Sequence, residues 1–171
     1  NLQTQRKVRE VIKGPSRWGV PLKPVPRTYG ERVLVAGDAA GLAKPTTGGG
    51  IYYALLSGEL AAETAVEAHS TGDFSAGGLK QYEKRWKSVF GRELKIGYYA
   101  RLLYEALGDE QIERLLDELW TSGLKDELIS PEEFSFDWHG QVILNALNHR
   151  HLGAIFRSFG PLASPFVSWL T

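Results

Sequence analysis

The chain contains no cysteine and no methionine, and its charges cancel, with 20 Lys and Arg against 20 Asp and Glu in 171 residues. The missing cysteines exclude a disulfide framework and any thiolate metal site. The zero balance removes the electrostatic footprint of a nucleic-acid binder, so no nucleic-acid partner is expected. No run approaches the ~18 consecutive apolar residues of a membrane-spanning helix. No Gly-x-Gly-x-x-Gly, the turn that cradles a dinucleotide pyrophosphate at a helix start, occurs anywhere. Repeats and low-complexity tracts are absent too. His139, His149 and His151 lack Glu-x-x-His or His-x-x-x-His spacing and read as surface or satisfied histidines, with no metal site expected. What is present is 43% hydrophobic, enough for one ordinary domain with a core of its own.

The most informative stretch is residues 33–50, VLVAGDAAGLAKPTTGGG. Residues 33–36 form a short apolar run ending at Gly37, which reads as a buried strand. Asp38 would sit at the carboxyl end of that strand, where open α/β sheets place ligand-binding groups. Pro45 fixes a turn, and Gly48, Gly49 and Gly50 then let backbone approach a ligand closely. They open a helix at Ile51 whose first turn offers free N–H groups and a positive dipole end. A carboxylate that accepts hydroxyl donors, beside a helix start that stabilises negative charge, suits the ribityl chain and the N1/C2=O edge of a flavin.

The run GDAAGLAKPTTGGGIYYALLSGELAAE resembles the second flavin-binding motif of the geranylgeranyl reductase family of FAD-dependent oxidoreductases. The continuation Gly-Gly-Gly-Ile-Tyr-Tyr-Ala favours that branch over the aromatic-ring hydroxylases, which share the Gly-Asp-Ala and Pro-x-x-Gly elements. The resemblance implies that Asp38 contacts the ribityl group and that the Pro45 to Gly50 turn borders the isoalloxazine. The implied FAD-binding set is Gly37, Asp38, Ala39, Pro45, Gly48, Gly49, Gly50 and Ile51. It also implies saturation of C=C bonds in an isoprenoid or lipid-tailed substrate. No side chain presents itself as the proton donor. With no pyrophosphate motif and a start at Asn1, the chain is expected to be the C-terminal part of a longer enzyme. It would be inactive alone and lack FAD, with the upstream part of the same protein as its partner.

The expected fold is mainly α with a small β component, a C-terminal fragment of a glutathione-reductase-like FAD/NAD(P)-binding α/β enzyme. Residues 1–31 would return from the substrate domain, 32–70 would carry the strand, Gly-Asp loop and helix of the FAD-binding domain, and 71–171 would be a helical region. Residues 4–13 read as a basic helix. Pro15, Pro21, Pro24 and Pro26 exclude helix and central strand, leaving an extended or edge segment, with Arg17 and Trp18 as candidate pocket residues. A strand over 32–36 follows, and then a helix over 51–69 with Leu55, Leu56, Leu60, Ala61 and Thr64 at helical spacing and Gly58 permitting close packing. Residues 79–107 read as one long helix with Gly91 and Gly97 as weak points. Asp109 would N-cap a helix over 110–120. Residues 124–129 are short, Ser130-Pro131-Glu132-Glu133 starts a further helix, and 137–150 and 151–160 complete the helical part.

Several residues admit a plainer reading. Lys44 is expected to be a solvated loop lysine rather than a charge that stabilises reduced flavin. Thr46 and Thr47 serve equally as hydroxyl donors or as helix caps. Tyr52, Tyr53, Trp86, Tyr98, Tyr99 and Tyr104 would line an isoprenoid tunnel or, as preferred, belong to the core. The apolar tail from Phe156 to Leu170 either docks on the domain, which is preferred because Arg157 is its one charge, or touches a membrane surface. The location implied is cytoplasmic, peripheral to a membrane if the tail does the latter. Two other functions stay open: a fragment of a flavin-dependent aromatic hydroxylase, and a non-catalytic helical interaction module with a relic flavin turn.

Overall fold

A computed structural model describes residues 19–121 and 135–149. The expectations for the basic helix over 4–13, Arg17, Trp18, residues 124–133, His151 and the aromatic tail lie outside these residues. The described part is mainly α, with one two-stranded sheet.

The sheet is smaller than the sequence suggested. β1 (Tyr29–Gly30) pairs antiparallel with β2 (Val33–Leu34), with Tyr29 opposite Leu34 and Gly30 opposite Val33. The buried strand expected over 32–36 is therefore two residues long, and Val33 is 51% exposed. Left-handed backbone at both ends limits it: Arg32 has φ 58° and Gly37 has φ 58°. The apolar run overstates the strand: the Val35 N–H still donates to the Thr28 carbonyl at 2.8 Å, in register with these two pairs, but the regular strand ends at Leu34. Gly37–Ala40 then forms one 3-10 turn, so Asp38 sits in that turn and not at a strand end.

α1 (Ile51–Thr71) ends where Gly72 takes φ 71°, the left-handed C-cap that glycine favours. Its buried stripe is Tyr53, Ser57, Thr64 and Ala68, with Leu56, Leu60 and Ala61 packed beside the core. Leu55, one of the residues at helical spacing, faces out, and a Cβ at Gly58 would meet nothing within 4 Å. The apolar spacing of α1 fits two faces, and the tyrosine and the hydroxyls, not Leu55, occupy the inner one.

The single long helix expected over 79–107 is broken into three parts. α2 (Ala76–Trp86) is N-capped by Ser75, whose Oγ accepts the Gly78 N–H at 3.2 Å. A π-helical turn, Lys87–Gly91, follows, and then α3 (Arg92–Glu105). The widened turn ends at Gly91, one of the two glycines that weaken the helix. α4 (Asp109–Thr121) includes Asp109 as its first residue, so Asp109 does not cap it. Gln111 does part of that work, with Oε1 accepting the Gly108 N–H at 2.8 Å. α5 (Gly140–Asn148) starts three residues later than expected because residues 135–139 are drawn into contacts with the loop before α1.

The main core joins α1, α2, the π turn and the Gly37–Ala40 turn through Tyr53, Tyr82, Trp86, Phe90 and Leu94, with Ala40 and Leu42 sealing its loop side. Trp86 stacks on Phe90 with ring centres 5.6 Å apart. A second cluster, Ile96, Leu103, Leu144 and Leu147, holds α5 on α3. The preferred reading of the aromatic stripe holds for Tyr53 and Trp86, which are buried, whereas Tyr52 and Tyr104 are exposed.

Two core tyrosines make stability sensitive to alkali. Burial pushes the Tyr82 hydroxyl up to about 12, and burial, with the Glu93 and Asp137 carboxylates and Tyr52 nearby, pushes Tyr53 higher still. The neutral phenols donate to the carbonyls of Val35 and Asp137, each at 2.9 Å. A raised folded-state pKa favours the fold fully below the unfolded value of about 10 and loses that contribution as pH rises through the folded value. Urea midpoints should therefore hold up to about pH 10 and fall between about 10 and 12. Ionisation of all seven tyrosines together near pH 10, with helicity unchanged, would contradict this.

Candidate functional site

The loop between the 3-10 turn and α1 is built almost entirely from local backbone bonds. The N–H groups of Gly41 and Leu42 donate to the carbonyls of Asp38 and Gly37, each at 3.0 Å. Gly48 N–H donates to the Lys44 carbonyl at 2.8 Å and Lys44 N–H to the Gly49 carbonyl at 2.9 Å, closing the Pro45–Thr46–Thr47 turn. Gly48 has φ 73°, which excludes most side chains there. Gly41, at φ 70°, has a second constraint, since a Cβ on it would overlap the Lys23 carbonyl oxygen. The Gly37 N–H donates to Ser57 Oγ at 3.0 Å, locking the Gly-Asp turn onto α1.

This folding brings Asp38 to the start of α1. A Cβ at Gly50, the residue capping that helix, would overlap Asp38 Oδ1. Asp38 and Ala39 are exposed, and no described residue donates a hydrogen bond to the Asp38 carboxylate. No side chain caps α1 with a hydrogen bond and no acidic residue lies in its first turn, so the Asp38 carboxylate is the negative group nearest its free N–H groups. Gly37, Asp38, Gly50 and Ile51 thus meet at one helix end, with Pro45, Gly48 and Gly49 on the turn leading into it. Ala39 lies beside Asp38 in the 3-10 turn.

Sequence reasoning missed the support behind the turn. Lys44 is not solvated; it is 6% exposed, and its Nζ donates to the Phe136 carbonyl and to Asp137 Oδ1, both at 2.9 Å, 4.4 Å from the centre of the Phe136 ring. A Cβ at Gly49 would come within 2.9 Å of Lys44 Cε, so the side chain fills the space directly behind the glycines. Thr46 Oγ1 lies 3.0 Å from His139 Nδ1, and His139 Nε2 lies 2.9 Å from the Phe136 carbonyl. A carbonyl can only accept, so in the neutral ring Nε2 carries the proton and Thr46 donates to Nδ1. Thr47 does less, its Oγ1 accepting the Gly49 N–H at 3.4 Å. Glu93 of α3 completes the brace: its Oε1 accepts the N–H of His139 at 2.6 Å and of Gly140 at 2.8 Å, capping α5 from another helix. His139 is satisfied, as read from its sequence context.

Among the described residues no helix is long and apolar enough to cross a membrane. No family model matches the chain. It is 40% identical over 102 residues to a digeranylgeranylglycerophospholipid reductase of Methanopyrus kandleri, covering 59% of this chain and 26% of that protein. A Methanocaldococcus jannaschii protein of the same name is 39% identical over 105 residues, covering 61% and 27%. In the crystal structure of a geranylgeranyl bacteriochlorophyll reductase-like protein from Thermoplasma acidophilum, the matching region has a TM-score of 0.63 and 27% identity, over 82% of this chain and 33% of that one. The chain therefore spans between a quarter and a third of the length of these relatives. In both sequence and fold, the chain thus resembles part of the geranylgeranyl reductase family.

Proposed function

We propose that the chain supplies the ribityl and isoalloxazine side of an FAD site in a reductase that saturates C=C bonds of a polyprenyl lipid. The observation that carries this reading is the convergence of Asp38 and Gly50: an unpartnered carboxylate against an uncapped helix start, at a glycine where any Cβ would collide. The names of the relatives supply the substrate class, a lipid with geranylgeranyl chains.

The residues fit the cofactor. Asp38 accepts hydroxyl donors from the ribityl chain, and the α1 N–H groups stabilise negative charge at the ring edge. Gly48, Gly49 and Gly50 leave room for a flat ring against the backbone. Lys44, its charge matched by Asp137, holds the shape of the turn and does not itself meet the ring. A bound flavin supplies the two-electron reducing chemistry. The chain's share is to bind, orient and keep that edge of the site rigid.

The test uses a full-length parent containing this chain. Purified, it should carry FAD, and with dithionite as reductant it should add pairs of hydrogens to a digeranylgeranyl phospholipid, read by mass spectrometry. A colourless parent that leaves every double bond intact would overturn the reading.

A further inference from the structure

A cavity of about 640 Å³ lies between residues 23–25 and the junction of α2, the π turn and α3. Neither Asp38 nor any residue of the 45–50 turn lines it. Four cations line it, Lys23, Lys87, Arg92 and Lys95, and no carboxylate does. In a chain with zero net charge that is a local excess. Lys87 is matched by Glu83 at 2.6 Å. Lys23 lies over the Tyr98 ring at 5.8 Å, and neither it nor Arg92 has a carboxylate partner among the described residues.

The backbone explains how two of these cations come together. In a regular α-helix, residues five apart point about 140° away from each other. The wider π turn over Lys87–Gly91 reduces that angle and brings Lys87 and Arg92 toward one side. The rest of the wall is apolar or aromatic: Val25, Leu94, and the rings of Trp86 and Tyr98. Both walls are braced. The Lys23 carbonyl packs where a Cβ on Gly41 would go, and a Cβ on Gly97 of α3 would lie 3.2 Å from Pro45. The cavity is thus held by the same two turns that form the candidate site.

Lys23 and Arg92, without a carboxylate partner among the described residues and beside an apolar wall, suit an anionic group joined to a hydrocarbon. We propose that this cavity seats the phosphate head of the lipid-tailed substrate. The assignment rests on the polyprenyl-lipid reading above but not on the flavin.

The test titrates the 171-residue chain with monomeric dihexanoyl phosphatidic acid, followed by amide NMR. Saturable shifts should map to residues 23–25 and 87–99. Inorganic phosphate should bind about tenfold more weakly, and dihexanoylglycerol, which lacks the phosphate, should leave the spectrum unchanged. The double variant Lys23→Gln/Arg92→Gln, exposed positions whose change should leave the fold intact by circular dichroism, should bind the phosphatidic acid about tenfold more weakly. Equal affinity for inorganic phosphate would mark a free-phosphate site and overturn the lipid assignment, as would shifts elsewhere or an unchanged double variant. In the full-length parent the same double variant should raise KM for a digeranylgeranyl phospholipid and leave kcat alone. A parent that reduces no polyprenyl chain fails the functional reading. One that reduces it with KM unmoved by the double variant fails only this proposal.

Discussion

Asp38→Ala in a full-length parent should lower FAD affinity by about ten- to hundredfold, the scale of losing charge-assisted hydrogen bonds of about 1.5–3 kcal/mol. The fold should barely notice, because the Asp38 carboxylate is exposed and accepts no hydrogen bond from a described residue. Its structural worth is at most its attraction to the α1 dipole, about 0.3–1 kcal/mol. Gly50→Ala gives the converse. Gly50 has φ −114°, open to any residue, so the cost comes from the overlap of the new Cβ with the Asp38 carboxylate and not from strain. We expect a loss of about 1–3 kcal/mol in urea unfolding, together with lost flavin as the carboxylate is displaced. Combining the two changes removes the overlap, so stability should return while flavin binding stays low. Flavin occupancy equal to wild type in Asp38→Ala would leave the carboxylate as no more than a turn residue.

The legible part of this chain is the part whose chemistry is local. Gly-Asp-Ala-Ala, Pro45 and the three glycines specify their turns through φ, ring closure and bonds a few residues apart, and the helix after them begins at Ile51 as the sequence implies. The supports were hidden because their partners are far apart in sequence. Lys44 meets Asp137 across 93 residues, and Glu93 meets His139 across 46. A lysine between Ala43 and Pro45 carries no local sign that a carbonyl and a carboxylate await it. Strand length failed for a related reason: it is set by the partner strand and by left-handed Arg32, a residue type that rarely signals such backbone. Gly91 did mark a weak point, but whether a glycine yields a kink, a break or a π turn is decided by packing, here by Trp86 and Phe90 on either side of Ser88 and Val89.

The same contrast identifies the residue on which the fold should depend most. Trp86 is 2% exposed, stacks on Phe90, and donates from Nε1 to Thr28 Oγ1 at 2.9 Å. Thr28 in turn donates from its N–H to Glu83 Oε2 at 2.9 Å and from its hydroxyl at 3.2 Å. Burial alone would raise the Glu83 carboxyl, but the bonds from Lys87 and Thr28 outweigh it and hold it below its ordinary value. One indole therefore ties the extended segment before β1 to α2, beneath both the Gly-Asp turn and the cationic cavity. Trp86→Ala should cost about 3–5 kcal/mol for the lost ring and the space it leaves. Against a total of about 5–15 kcal/mol for an ordinary domain, that brings the chain close to unfolding at room temperature. Trp86→Phe keeps most of the burial and removes the indole donor, so about 0.5–1.5 kcal/mol is expected. The ordering of the two, measured by urea unfolding, separates packing from hydrogen bonding. Equal losses would place the whole effect in the Thr28 bond, and two near-wild-type midpoints would mean that Trp86 does not anchor this core.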